Sequence, residues 1–292
     1  MNDYMVRAYA AEGFIRAFAV TSGNLTEEAR RIHNTTPVAT AALGRLMAAA
    51  LMMGAMMKDE RDLLTLKIDG SGPMRGLLVT ADCRGRVKGY PYEPDVILPP
   101  NEKGKLDVAG ALGEGILTSI SDIGMKEPYV GQVKLVSGEI AEDIAYYFAS
   151  SEQVPSGVGL GVLVNQDHSV NCAGGFIVQL MPGCPEETAA QLEDRLKGFD
   201  SVTNFYRDGK TPEELLQLIL KDMDLTITEK LPCAYHCGCN RERVEKALIS
   251  VGASELQSII DDGKPIETNC QFCGKTYRFS VAEIEELLKK AR

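Results

Sequence analysis

Positive charge is in short supply in this sequence relative to negative. Its 31 Lys and Arg face 41 Asp and Glu, a formal net charge of −10 over 292 residues. Neutralising phosphates requires a basic face, so the balance argues against a nucleic-acid partner. Even residues 233–292, with nine basic and nine acidic side chains, carry no excess of cations. Also missing is any uncharged apolar run of roughly 18 residues, the length of a membrane span. The longest candidate, Val38 to Met57, holds Arg45 and reads as a buried helix, so no membrane partner is expected. Met1-Asn2-Asp3-Tyr4 has neither the charged n-region nor the apolar h-region of a signal peptide, and a cytoplasmic location is the expectation. No phosphate-cradling loop stands between a strand and a helix. Gly157-X-Gly159-X-Gly161 lies at the start of a strand, which argues against a dinucleotide or ATP site. Residues 1–180 offer no convincing active site, and no enzymatic activity is expected. His33 stands alone and makes no ligand set, while His168 beside Asp167 reads as a polar turn more simply than as half of a triad.

What is present is cysteine, eight in all. In a reducing compartment that number argues for metal or redox chemistry and not for structural disulfides. Cys237-Gly238-Cys239 is answered some thirty residues later by Cys270-Gln271-Phe272-Cys273. Two close pairs, with enough chain between them to fold back, have the spacing of a four-thiolate zinc site. Each pair reaches one cation from a single tight loop. Gly238 suits a sharp turn, and Gly274 suits the φ > 0 position of a metal-binding knuckle. A thioredoxin-like Cys-X-X-Cys works alone and leaves the Cys-X-Cys unexplained. Cys233 and His236 complicate the first cluster, since a fifth thiol or a Cys₃His set could be drawn through them. The four paired thiols are preferred because they give two rigid chelating loops. Cys83, Cys172 and Cys184 stand apart and read as small buried hydrophobes.

The chain in order predicts an α+β protein, with an N-terminal mixed sheet-and-helix domain at 1–180, a helical linker belt at 181–231 and a small zinc-binding domain at 232–292. Residues 4–20 read as a hairpin by their alternation. Asn24 or Thr26 is placed to cap a short helix, and Pro37 to open a long one that carries Met47, Met52, Met53, Met56 and Met57. These methionines read as core filling in preference to an adaptable binding surface. Short strands fill 63–136, a helix follows from Glu139, and two apolar strands lie near 158–164 and 174–180. Strands in runs with helices inserted exclude a βαβ array. The helices of the belt are too small for a core of their own and must lie on the N-terminal sheet. One of them, from Pro212, opens with a Thr211/Glu214 capping box. In the last domain Asn240 caps one helix and Ser280/Glu283 another, and metal ligation has to supply most of the stability.

The short pairs suggest a switch. Once the metal leaves, Cys237 could close on Cys239 and Cys270 on Cys273, and oxidation that ejects zinc would melt the small domain and release the belt. On its Cys-X-Cys, the spacer of about thirty, the C-terminal Cys-X-X-Cys and the α+β domain in front, the sequence resembles the bacterial redox-regulated heat-shock holdases, the 33 kDa chaperonin family. The resemblance implies an ATP-independent chaperone that is inactive while it holds one Zn²⁺ per chain on Cys237, Cys239, Cys270 and Cys273. On oxidation with heat it would lose zinc, unfold its linker, dimerise and bind unfolding client proteins. Cys233 departs from the family's pattern. The rival readings are an enzyme with a structural zinc appendage and a zinc-ribbon adaptor.

Overall fold

Strands β1 (Tyr4–Ala10) and β2 (Ile15–Thr21) form the hairpin that their alternation requires, pairing antiparallel from Tyr4↔Thr21 to Ala10↔Ile15. The computed structural model describes residues 2–291. Helix α1 (Gly23–His33) begins three residues before Thr26. Neither Asn24 nor Thr26 caps it, since both lie inside. The donors of its first turn go instead to Asp3, whose carboxylate accepts from the Leu25 N–H at 2.7 Å and from Asn24 Nδ2 at 3.3 Å. A carboxylate from just ahead of β1 thus does what a local cap does elsewhere.

Helix α2 (Pro37–Gly54) has proline at its first turn and is apolar on every side. It is long and apolar enough to cross a bilayer, but 89% of it is buried inside the fold. A helix without a polar face has to be enclosed, and two sheets enclose this one. Met47 and Met52 are sealed in the core and Met53 nearly so, as core filling requires, whereas Met56 and Met57 are only partly buried against its edge. Glycine matters at Gly44, where a Cβ would stand 2.6 Å from Thr26 Cγ2 and 2.8 Å from Val162 Cγ2.

Beyond α2 come β3 (Leu63–Gly70), β4 (Gly76–Ala81), β5 (Arg86–Pro91), α3 (Val108–Leu112), β6 (Gly115–Asp122) and β7 (Tyr129–Lys134). Helix α4 (Ala141–Tyr147) runs into a π-turn at Phe148–Glu152. The fully buried Asp143 holds its start, accepting from the N–H groups of Val136, Ser137, Gly138 and Ile140. Strands β8 (Ser156–Val164) and β9 (Val170–Leu180) return to the first hairpin. Helices α5 (Glu186–Lys197), α6 (Val202–Arg207) and α7 (Pro212–Ile219) follow. The expected Thr211/Glu214 capping box is present, with Glu214 accepting from the Thr211 N–H at 2.7 Å.

Residues 226–235 differ from the helical tail expected for the belt. They form β10 (Thr226–Pro232) on β1 and β11 (Ala234–Tyr235), which runs parallel to β5. Thr226-Ile227-Thr228 opens β10 with three β-branched residues, which favour an extended chain. One sheet therefore has the order β10-β1-β2-β9-β8 and the other β11-β5-β4-β3-β6-β7.

The three belt helices lie on the face of the first sheet that points away from α2. Leu192, Val202, Phe205, Tyr206, Leu215 and Ile219 cluster there with Val6, Ala17, Phe176 and Val178 of the strands. The glycine run has its explanation in this contact. A Cβ on Gly157 would stand 2.4 Å from Leu196, one on Gly161 2.8 Å from Thr203, and one on Gly159 2.3 Å from the Phe176 ring. The run is a smooth seat for helices and not a phosphate loop.

The chain divides into two compact units between His236 and Cys237. The second contains α8 (Arg241–Val251), α9 (Ala253–Asp261), the hairpin β12 (Ile266–Asn269) and β13 (Thr276–Phe279), and α10 (Val281–Ala291). Its core is Leu256, Tyr277, Phe279, Ile284, Leu287 and Leu288.

Candidate metal centre

Two loops of the second unit build the site. The first, ahead of α8, carries Cys237 and Cys239. Asn240 ends it by accepting from the Arg243 N–H at 2.9 Å, and Arg243 Nη1 returns to the Gly238 carbonyl at 3.0 Å. The second is the turn of the β12–β13 hairpin. There the Gly274 N–H reaches the Cys270 carbonyl at 2.8 Å and the Cys270 N–H reaches the Lys275 carbonyl at 3.0 Å. Gly274 has φ +67°, the left-handed conformation that its place after the second pair called for.

The four sulfurs of Cys237, Cys239, Cys270 and Cys273 all lie within 4.8 Å of one another. Two of the separations run between the loops, 3.6 Å for Cys237–Cys270 and 3.4 Å for Cys239–Cys273. Sulfurs about 2.3 Å from a central tetrahedral ion stand about 3.8 Å apart, so the cluster fits one such ion. Tyr277 adds a fifth group, its hydroxyl donating to Cys239 Sγ at 3.2 Å.

Electrostatics point the same way. Burial opposes ionisation of Cys239, but hydrogen bonds from Tyr277 and the neighbouring thiols outweigh it and bring the thiol down to about 7. Burial, together with the hydrogen bond to Cys239, pushes Cys273 up to about 12. Burial also raises Cys237. Four sulfurs at this distance do not all ionise unaided, and a divalent cation among them removes the repulsion. The four cysteines are positioned to hold a metal ion.

The other candidates are elsewhere. Cys233 is buried in the larger unit, its N–H on the Asp3 carbonyl at 2.9 Å, and burial pushes its thiol up to about 12. The backbone N–H of His236 bonds the Val87 carbonyl, extending β11. Among the described residues, the converging donor set contains neither of them. His33 Nε2 lies 3.2 Å from the Tyr235 hydroxyl. His168 sits with φ +68° in the β8–β9 turn, where Asp167 accepts from Ser169. Cys83, Cys172 and Cys184 are half-buried and not the fully buried hydrophobes expected. Each thiol finds a backbone carbonyl, of Asp59, Thr203 and Pro185 respectively, which accounts for their tolerance of partial exposure.

The sequence model of the Hsp33 protein family matches residues 3–280. The chain belongs to that family. Over its full length it is 56% identical to the 33 kDa chaperonin of Lachnoclostridium phytofermentans, all of which is covered. The 33 kDa chaperonin of Geobacillus kaustophilus is 48% identical, with 100% of this chain and 99% of the relative covered. Among solved structures, the crystal structure of the 33 kDa chaperonin (heat shock protein 33 homolog) from Thermotoga maritima superposes with a TM-score of 0.91 at 37% identity, covering 99% of each chain.

Within this Hsp33 chain, Tyr277 and Arg241 are the parts of the site that the spacing argument missed. Arg241 lies over the Phe279 ring at 4.2 Å and pairs with Glu283 at 2.5 Å, tying α8 to β13 and α10. The available signal was the alternation of Thr276-Tyr277-Arg278-Phe279, which turns Tyr277 and Phe279 inward together.

Proposed function

We propose that the chain is a redox-regulated, ATP-independent holdase whose reduced form holds one Zn²⁺ on Cys237, Cys239, Cys270 and Cys273. The observation that carries this reading is the convergence of four thiols from two loops in a unit with only a six-residue buried core. An all-cysteine tetrahedral set favours zinc over hard cations. The ion would supply the divalent charge that lets four thiolates share this small volume.

The switch resides in the chain's own residues. One thiolate attacks the O–O bond of a peroxide, taking up one oxygen as a sulfenic acid while the other leaves as hydroxide. The second thiolate of the pair attacks the oxidised sulfur, expels its oxygen as a second hydroxide and closes the S–S bond. The two sulfurs give up two electrons, and the peroxide ends as two waters once protons are added. Closing Cys237–Cys239 and Cys270–Cys273 in this way removes all four donors. The small unit then loses its main source of stability.

The consequence passes along the backbone. His236 is hydrogen-bonded to Val87, β11 pairs with β5, and β10 pairs with β1 at the end of the belt. Fraying from Cys237 backwards loosens these pairings and then α5–α7. Departure of the belt uncovers Val6, Ala8, Ile15, Ala17, Ala19, Phe176 and Val178, a contiguous apolar face that binds unfolding client proteins and a second copy of the chain. No nucleotide takes part, and the protein works in a reducing cytoplasm.

The test follows zinc release, helicity and aggregation of a denatured client together while peroxide is added at elevated temperature. One zinc per chain should be lost, and protection should appear only then. Equal protection by the reduced, zinc-loaded form would refute the switch.

A further inference from the structure

The sulfur cluster is not symmetric. Tyr277 is 6% exposed, is held in the small core beside Phe279, and places its hydroxyl 3.2 Å from Cys239 Sγ. Its position on β13 is fixed by the pairing Thr268↔Tyr277. The Lys275 ammonium stands 5.3 Å from the centre of its ring, an arrangement that draws electron density from the phenol and favours it as a donor. A hydroxyl fixed in this way donates continuously to one sulfur of the four.

We infer that Tyr277 is a positioning residue that sets the oxidation threshold of the cluster by damping the nucleophilicity of Cys239. This rests on the four-thiolate reading of the site. Attack on a peroxide uses a sulfur lone pair, and a hydrogen bond to sulfur occupies and stabilises that pair. It is lost as the sulfur takes up oxygen, so it stabilises the starting state more than the transition state. The bond formed is S–O and the bond broken is O–O, with hydroxide leaving, and Tyr277 itself neither gains nor loses a proton. Groups next to metal ligands commonly tune a site in this way. Here the tuned property is resistance to oxidant, which for a stress sensor is as important as affinity.

The test is Tyr277→Phe, which deletes one oxygen and keeps the ring in the core. Cobalt(II) is loaded into both proteins and counted, and the sulfur-to-cobalt charge-transfer band is recorded. Sulfenate formation at Cys239 is followed in parallel by dimedone labelling and peptide mass spectrometry under limiting peroxide, in zinc-loaded reduced protein, where the metal holds the sulfurs as thiolates in parent and variant alike. The variant is expected to bind one cobalt per chain, to shift the band to lower energy as the sulfur becomes a better electron donor, and to label at Cys239 about fivefold faster, the factor that an ordinary hydrogen bond carries. An unchanged band and an unchanged labelling rate, with one cobalt still bound, would overturn the inference while leaving the metal site intact. Failure of the unaltered protein to take up cobalt would remove the metal-site reading, and the inference with it. Lys275→Met adds an independent check, expected to move both readouts in the same direction by a smaller amount.

Discussion

In the larger unit α2 is walled by two sheets, and Leu43, Leu46, Met47 and Leu51 are each sealed from water. A second apolar layer lies beneath the belt. In the unit from Cys237 onward the buried set among the described residues is Leu256, Tyr277, Phe279, Ile284, Leu287 and Leu288, and helix α8 contributes none of it. A fold of the first kind stands chiefly on hydrophobic burial. A fold of the second kind stands on whatever joins its loops, here four sulfurs. In the proposed switch, a chemical change in the weaker unit acts on the stronger without destroying it.

Removing metal tests that contrast most severely. Structural zinc contributes on the order of 10–16 kcal/mol in small zinc peptides. A chelator added to reduced protein should therefore abolish hydrogen-exchange protection in α8–α10 while α2 keeps its own. Equal protection in α8–α10 with and without chelator would break the comparison.

Next in size is Leu46→Ala, in the fully buried middle of α2. Denaturant unfolding of the larger unit should lose about 2–5 kcal/mol, with metal stoichiometry unchanged. Gly159→Ala acts on the belt's seat, where the new Cβ would meet the Phe176 ring at 2.3 Å. Overpacking there should cost about 1–3 kcal/mol and raise exchange in α5–α7 before it raises exchange in α2.

A smaller effect is expected from pH. Hydrogen bonds from Arg30 outweigh burial and hold Glu27 at about 2, below its ordinary 4.5, with Arg31 and the Val170 N–H adding to them. Because the folded value is depressed, this stabilisation is complete above about pH 4.5 and disappears as pH falls toward 2. Glu27→Gln should thus be less stable than the parent at neutral pH, and the two unfolding curves should converge on acidification. The least effect belongs to Cys233→Ala. That thiol lies in the larger unit's core, so the variant should still bind one metal per chain by direct assay.

Much of this was legible in the residues. The Cys-X-Cys and Cys-X-X-Cys pairs announce a site because chelation demands short loops, and the all-apolar α2 announces its own burial. Capping at Asn240, Thr211 and Ser280 was equally local and equally readable. The cap of α1 was not, because Asp3 is far from Leu25 along the chain and arrives through the β1–β2 pairing. Strand β10 was hidden for a related reason: most of its residues are exposed at a sheet edge, so no buried run marked it.

Sequence alone determined which thiols would gather and which helices would need a platform, since both follow from spacing and periodicity within a few turns of chain. It also left Cys233 and His236 as rivals for the site. Only the tertiary structure decided that Cys233 belongs to the core, that His236 continues a strand, and that the Tyr277 hydroxyl meets Cys239. Contacts between residues distant in sequence depend on how sheets and hairpins close, and no local pattern encodes that closure.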